Sequence, residues 1–217
     1  MATPQQLPRT FWIGSGLLMG FLGLAYLLAI AEFRQQQKPL PVLGQVTDFS
    51  LTNQDAKLVT LADLTNRVWV ADIIFTRCAG PCPRMTAQMK SVQEKLPSDS
   101  SAKLVTLTTD PDYDSSEIMK RYGERFGADF NRWMFLTGTK AQIANLAAGS
   151  LKLSAEAKPS GQQQDSADLF IHTTIFVVVD KHAQLRGIFQ TGGDNVDWTN
   201  AVEPQLLATI RRLERQK

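Results

Sequence analysis

A layered α/β domain behind an N-terminal membrane-crossing helix is predicted by three features of the sequence. Strand-like and helix-like stretches alternate from Val46 onward, and the last strands form a hairpin before a C-terminal helix. One stretch near the middle, Val68 to Phe75 (VWVADIIF), is nearly all apolar, as a central strand buried on both faces must be. A third stretch, Phe11 to Ala31, runs 21 residues without a charge. The composition agrees with a packed core: 43% hydrophobic and 20% charged residues over 217 positions exclude disorder and collagen-like repeats. A net charge of +2 with no run of five basic residues gives no electrostatic footprint for nucleic acid.

The elements follow in order. Residues 1–10 form a short tail. Residues 11–31 would make a helix about 32 Å long, enough to span the hydrocarbon of a bilayer, with Trp12 and Tyr26 towards the interfaces. Ala29-Ile30-Ala31 has the small-x-small form of a signal-peptide cleavage site. The apolar run is longer than a signal core and the basic region before it is thin, so an uncleaved anchor is the expectation. Arg9 on one side balances against Arg34 and Lys38 on the other, so flanking charge does not set the orientation. Residues 32–41, rich in glutamine and ending in prolines, read as a linker, and 42–217 as the folded domain.

Within that domain, Val46 to Leu51 and Lys57 to Leu61 read as strands around the turn Asn53-Gln54-Asp55. The apolar strand Val68–Phe75 stops at a turn, Thr76 to Cys82, and Pro83 suits the first turn of the helix that follows. Met85, Met89, Val92 and Leu96 lie at helical spacing along it, a stripe expected to pack in the core. Leu104 to Thr108 is a strand. A helix from Ser115 to about Phe126 is announced by Asp114 and Glu117, spaced as a capping box. Trp133 to Thr137 is strand-like, Lys140 to Ala148 helix-like, and the polar stretch Ala157 to Asp168 reads as a surface loop. Thr174 to Asp180, with His172 at its opening, and Leu185 to Phe189 form a hairpin around Lys181 to Gln184. The last helix has Pro204 near its start and Leu206, Ile210 and Leu213 on one face.

The only two cysteines, Cys78 and Cys82, share the turn between the buried strand and its helix. A helix N-terminus favours thiolate, the form that attacks disulfides and binds metals. Two chemistries are open. The pair can cycle between dithiol and disulfide, although thioredoxin-like redox pairs are spaced Cys-x-x-Cys, one residue closer. It can also hold a soft metal such as copper(I). Structural zinc would need four ligands, which this chain supplies poorly. A peroxidase would need Thr-x-x-Cys, and Thr76 stands only two positions before Cys78. There are two histidines: His182 falls in a predicted turn, where a solvated ring is expected, and His172 follows apolar Leu169-Phe170-Ile171, where a packed core residue and a third ligand are both open readings.

Phe75-Thr76-Arg77-Cys78-Ala79-Gly80-Pro81-Cys82-Pro83 resembles the Phe-Thr-x-Cys-Pro-x-x-Cys-Pro motif of the Sco/SenC family. Val105 to Pro111 (VTLTTDP), Phe135 to Gly138, and His172-Thr173-Thr174 before IFVVVD resemble further segments of that family in the same order, so the likeness covers roughly residues 42 to 215. The resemblance implies a thioredoxin-like domain, a central mixed sheet flanked by helices, tethered to a membrane on its extracytoplasmic side. It implies a copper site of Cys78, Cys82 and His172. It also implies a copper chaperone delivering to, or maturing, the dinuclear copper site of cytochrome c oxidase, with the apo copper-bearing subunit or another copper acceptor as partner. A membrane-tethered thiol–disulfide oxidoreductase, using Cys78 and Cys82 as a redox pair, is the alternative. Two departures stand out: Ala79 replaces the proline after the first cysteine, and Ile171 stands where an acidic residue often precedes the histidine. Asp168 is a candidate substitute for that carboxylate.

Overall fold

The computed structural model describes residues 17–28, 30, 39–153, 155–157, 170–172 and 174–216, with 155–157 and 170–172 described by their backbone. Contacts divide the chain into two units, Met1–Leu40 and Pro41–Lys217. In the first, α1 (residues 17–28) is helical and turns Leu18, Phe21, Leu24 and Leu28 to solvent. Among the described residues no helix is long and apolar enough to cross a membrane. Residues 1–16, 29 and 31–38, which hold the rest of the expected anchor and most of the linker, lie outside them.

The second unit is built on a mixed sheet of eight strands. In chain order these are β1 (Gly44–Gln45), β2 (Ser50–Asn53), β3 (Leu58–Thr60), β4 (Trp69–Ile74), β5 (Lys103–Thr108), β6 (Trp133–Thr137), then, after the pair β7 (Ala155–Ala157) and β8 (Phe170–His172), β9 (Ile175–Val179) and β10 (Gln184–Gln190). Their spatial order is β1-β10-β9-β4-β5-β6-β2-β3. β4, β5 and β6 run parallel, joined by helix α2 (Cys82–Lys95) between the first two and α3 (Ser116–Arg125) between the last two. β9 runs antiparallel to β4, and β10 to β9. All six residues of β4 are buried, as expected for a strand with neighbours on both edges and elements over both faces.

Alternation along β4 decides what each face carries. Trp69, Ala71 and Ile73 point into one hydrophobic cluster with Val105, Leu107, Leu136, Val177 and Val179. Ile143 and Leu146, from α4 (Lys140–Ala144) and the π-helical turn Asn145–Ser150, close that cluster. The other face carries Asp72, paired in register with Thr106, and Trp133 stacked on Phe135 at 4.9 Å. Helix α5 (Glu203–Arg215) buries Leu206, Ile210 and Leu213 along one side, the apolar stripe expected of it.

Gly123 shows how tight the packing under α3 is. A Cβ there would stand 2.8 Å from Phe130 and 2.9 Å from Phe135. Gly123→Ala gains about 1 kcal/mol of helix propensity. It also forces two packed rings apart, an overpacking penalty of roughly 1–3 kcal/mol. A net loss of about 1 kcal/mol is expected, read from the urea midpoint at unchanged m-value.

Several expectations are corrected. Val46–Leu51 is strand only at Ser50–Leu51, the start of β2: β1 ends at Gln45 and pairs with β10 at one edge of the sheet, β2 pairs with β6 near the other, and Val46–Phe49 carry the chain across between them. The helix after Thr139 stays α-helical only to Ala144 and widens into the π turn, with Leu151 N–H bonded to Leu146 five residues back. The cap of α3 is Ser115, whose hydroxyl accepts from Ile118 N–H; Asp114 turns inward instead. His172 does not open the long strand. It ends the separate strand β8, opposite Ala155 of β7, and β9 begins at Ile175. The expected loop from Ala157 to Asp168 lies, beyond Ala157 itself, outside the described residues.

Candidate functional site: a thiol pair at the start of a helix

Where β4 ends, the chain turns under tight local control. Thr76 donates to the Asp114 carboxylate through both its backbone N–H and its hydroxyl, and Thr108, at the end of β5, donates to the same group at 2.5 Å. The turn is thus fastened to the neighbouring strand before Cys78 is reached. Cys78 N–H bonds back to Phe75 C=O at 3.2 Å, and Gly80 N–H donates to Cys78 Sγ at 3.3 Å. Pro81 caps α2, Cys82 is its first residue, and Pro83 lies where a missing N–H does no harm.

Both cysteines are reduced thiols outside any disulfide; Cys78 keeps 8% of its surface exposed and Cys82 none. The Cys82 thiol donates to Cys78, and that bond, with burial, holds its proton far more tightly than an ordinary thiol does. A backbone hydrogen bond from Phe75 acts in the opposite direction but is the weaker effect. This corrects the expectation that the helix start alone would make both thiols readily ionised: for Cys82, its neighbour and its burial outweigh the dipole. The two sulfurs share one proton-rich contact, and the more exposed Cys78 is the one positioned to react first.

Beneath the turn lies a polar layer that motif reading missed. Asp72 is fully buried on β4; Thr106 Oγ1 donates to its Oδ1 at 2.7 Å, and Oδ2 has no partner. Burial pushes its carboxyl up to about 7, against the pull of the Thr106 bond. Its negative charge also disfavours ionisation of Cys82. Trp133 Nε1 completes the line by donating to Thr106. On the α3 side, Thr86 donates to Cys82 C=O at 2.9 Å and its oxygen meets the Tyr122 hydroxyl at 2.8 Å. Asp72 was visible as the one charge inside VWVADIIF, a buried polar residue that packing alone does not explain.

His172 ends β8, and its side chain lies outside the described residues. Two residues on, Thr174 C=O accepts from Thr191 N–H at 2.7 Å, while Thr191 C=O accepts from Gln88 of α2 at 2.9 Å. Two residues of extended chain span at most about 7 Å, so the β8 end approaches the segment docked on α2. His182 is exposed in the β9–β10 turn, its N–H bonded to Asp180. Asp168 lies outside the described residues. Among the described residues no group of three or more His, Cys, Asp and Glu side chains converges.

The SCO1/SenC family model matches residues 39–206 of this sequence, most of the chain and the whole of the thiol turn. The chain belongs to the SCO1/SenC family. A Bacillus subtilis SCO1 protein homolog is 35% identical over 159 residues, which is 72% of this chain and 79% of that protein. Among solved structures, a SCO1/SenC family lipoprotein from Bacillus anthracis superposes with a TM-score of 0.66 at 30% identity, over 82% of this chain and 98% of the other. BsSco, a member of the Sco family of cytochrome c oxidase assembly proteins in which a disulfide switch was identified, gives 0.64 at 26%, over 83% and 100%. Copper-bound ScoI of Bradyrhizobium japonicum shares the fold at 21% identity, with a TM-score of 0.63 over 78% and 99%. The mixed sheet with flanking helices is therefore the thioredoxin-like fold of the SCO1/SenC proteins.

Proposed function

We propose that this SCO1/SenC protein binds copper(I) as cargo through the Cys78 and Cys82 thiolates and the His172 imidazole, and delivers it to, or matures, the dinuclear copper site of cytochrome c oxidase. The observation that carries the reading is the pair of reduced thiols in hydrogen-bond contact with each other at the start of α2. Two soft sulfurs at one corner suit copper(I) above harder ions. Metal binding must displace the proton that the pair holds, so copper uptake weakens as pH falls. Three ligands leave a fourth position open to an incoming ligand of the apo copper-bearing subunit or another acceptor, and cargo passes by stepwise exchange.

Residues 11–31 anchor the chain as a single membrane span, 32–41 are the linker, and 42–217 form the copper-binding domain on the extracytoplasmic side, where a thiol pair is gated by oxidation. That the Bacillus anthracis relative is a SCO1/SenC family lipoprotein is consistent with an extracytoplasmic domain held at a membrane.

A second reading, a membrane-tethered thiol–disulfide oxidoreductase that reduces acceptor cysteines, is favoured by the same thiol–thiol contact and needs no histidine. Anaerobic copper(I) titration of the reduced full chain separates the two. One copper per chain, with that stoichiometry lost in Cys78→Ser, Cys82→Ser and His172→Ala, is the expected result. Full copper binding by His172→Ala removes the histidine from the site. Absence of copper uptake by the wild type, with intact dithiol–disulfide cycling, leaves the redox reading alone.

A further inference from the structure

Beside the thiol turn opens a cleft of about 330 Å³ lined by Thr76, Arg77, Tyr113, Ile118, Arg121 and Arg125, with Tyr122 in its floor. Three guanidinium groups converge there, and each is held differently. Arg77 is ion-paired to Asp110 at 2.6 Å, and its guanidinium carbon lies over the Tyr113 ring, 3.9 Å from its centre. Arg121 makes a long contact of 3.4 Å to Glu117, one turn away and largely in solvent, a pair that holds little. Arg125 lies over the rings of Tyr122 and Phe126 at 5.0 and 5.3 Å, and among the described residues no carboxylate pairs with it. With Arg77 neutralised by Asp110 and Arg121 facing Glu117, the net positive excess of the cleft is that of Arg125, and Arg121 adds an N–H edge held by only a loose, solvated pair.

The cleft is also wired to the thiols. Its first two lining residues, Thr76 and Arg77, immediately precede Cys78. Its floor residue Tyr122 bonds through Thr86 to the Cys82 carbonyl. Whatever occupies the cleft therefore sits against the reacting turn.

We propose that this cleft docks an acidic segment of the acceptor protein, one or two Asp or Glu side chains seated on Arg121 and Arg125, so that the acceptor's own cysteines are presented to Cys78. Arg125, held over two rings, keeps its N–H edge free for the paired oxygens of a carboxylate, and exposed Arg121 can swing from its loose contact to join it. The ring faces and Ile118 match the apolar stem of a Glu side chain, contacts that a bare inorganic anion would leave unused. The charge excess steers an acidic partner and sets its register more than it adds affinity. The inference rests on the proposed function only in supposing that a thiol-bearing protein is the partner.

The test uses the reduced full chain and two short peptides, each with one cysteine activated as a 2-pyridyl mixed disulfide. One carries Glu and Asp around that cysteine, the other Gln and Asn. The Cys78 thiolate attacks the peptide sulfur, the S–S bond breaks, and pyridine-2-thiolate leaves with the electron pair and takes up a proton, giving a measurable thione. At low salt and subsaturating peptide, the acidic peptide is expected to react roughly tenfold faster with wild type, an advantage that shrinks as salt screens it. Arg121→Gln with Arg125→Gln, both on the exposed side of α3, should remove most of that advantage. The rate with uncharged dipyridyl disulfide and the copper stoichiometry should stay unchanged. Equal rates for the two peptides, or an advantage that survives the double substitution, overturns the proposal. So does binding to phosphatidylglycerol vesicles that depends on the two arginines without any peptide preference, which would make the cleft a lipid contact. Loss of copper binding in the wild type with the peptide preference intact would instead sink the copper reading and leave the docking cleft standing.

Discussion

Asp72→Asn is expected to stabilise the folded domain at pH 8 relative to wild type, by as much as about 4 kcal/mol, while giving no such gain at pH 4. Desolvation raises the folded-state carboxyl from 3.8 to about 7. Below 3.8 the group is protonated in both the folded and unfolded chain, and its titration contributes nothing. As pH climbs from 3.8 towards 7, the unfolded carboxyl ionises into water while the buried one cannot, so stability falls, and above 7 the loss is complete. A separation of about three units corresponds to roughly 4 kcal/mol. Asparagine removes the charge yet keeps an oxygen for the Thr106 hydroxyl at 2.7 Å. Its amide N–H₂ replaces an Oδ2 that already lacks a partner, as the protonated acid's O–H would. The discriminating quantity is therefore the wild-type-to-variant difference as a function of pH, from urea unfolding of both reduced proteins between pH 4 and 8. A difference that stays flat across that window would show that Asp72 titrates like a solvated carboxylate.

That carboxylate marks where the sequence stops being readable. Strand β4 could be found because eight apolar-rich residues in a row have one economical solution, a central strand. The thiol pair could be found because the whole cysteine content falls in one turn, and the helix after it because Pro83 and the Met85-Met89-Val92 stripe obey local rules. These signals live within about one or two turns of chain. What the sequence hid depends on partners far along it. Asp114 carries the spacing of a cap, yet its oxygens are claimed by Thr76, 38 residues earlier, and Ser115 caps in its place. The break between β1 and β2 follows from their lying near opposite edges of the sheet, which no window around Val46 can reveal. The β7–β8 pair joins three-residue segments across an intervening stretch, too short for either to announce itself. His172 was singled out for its chemistry, and its side chain is the part of the site that copper titration has to establish.

Asp114→Ala should have the opposite sign to Asp72→Asn, lowering stability by about 3 kcal/mol and loosening the thiol turn. Burial raises the Asp114 carboxyl as it does that of Asp72, so desolvation is the leading effect in both. The difference lies in the partners. Asp72 accepts one side-chain bond and leaves an oxygen unused, whereas Asp114 accepts from Thr76 N–H, the Thr76 hydroxyl and the Thr108 hydroxyl. Truncation to alanine takes the acceptor from the buried Thr108 hydroxyl and from the half-buried Thr76, and each buried orphan costs about 1–3 kcal/mol. Thr108 keeps the bond its oxygen accepts from Asp110 N–H at 3.0 Å, but its fully buried O–H is left with no acceptor, the costliest of the three losses. Asp114→Asn, which retains one acceptor oxygen, should fall between wild type and alanine. Since Thr76 stands two residues before Cys78, freeing it also frees the turn, and the alkylation rate of Cys78 under native conditions should rise in step with the lost stability. If Asp114→Ala unfolds at the wild-type urea midpoint and its thiol reacts no faster, the carboxylate is not what fastens the turn to β5, and the rigidity of the site must come from Pro81 and Pro83 alone.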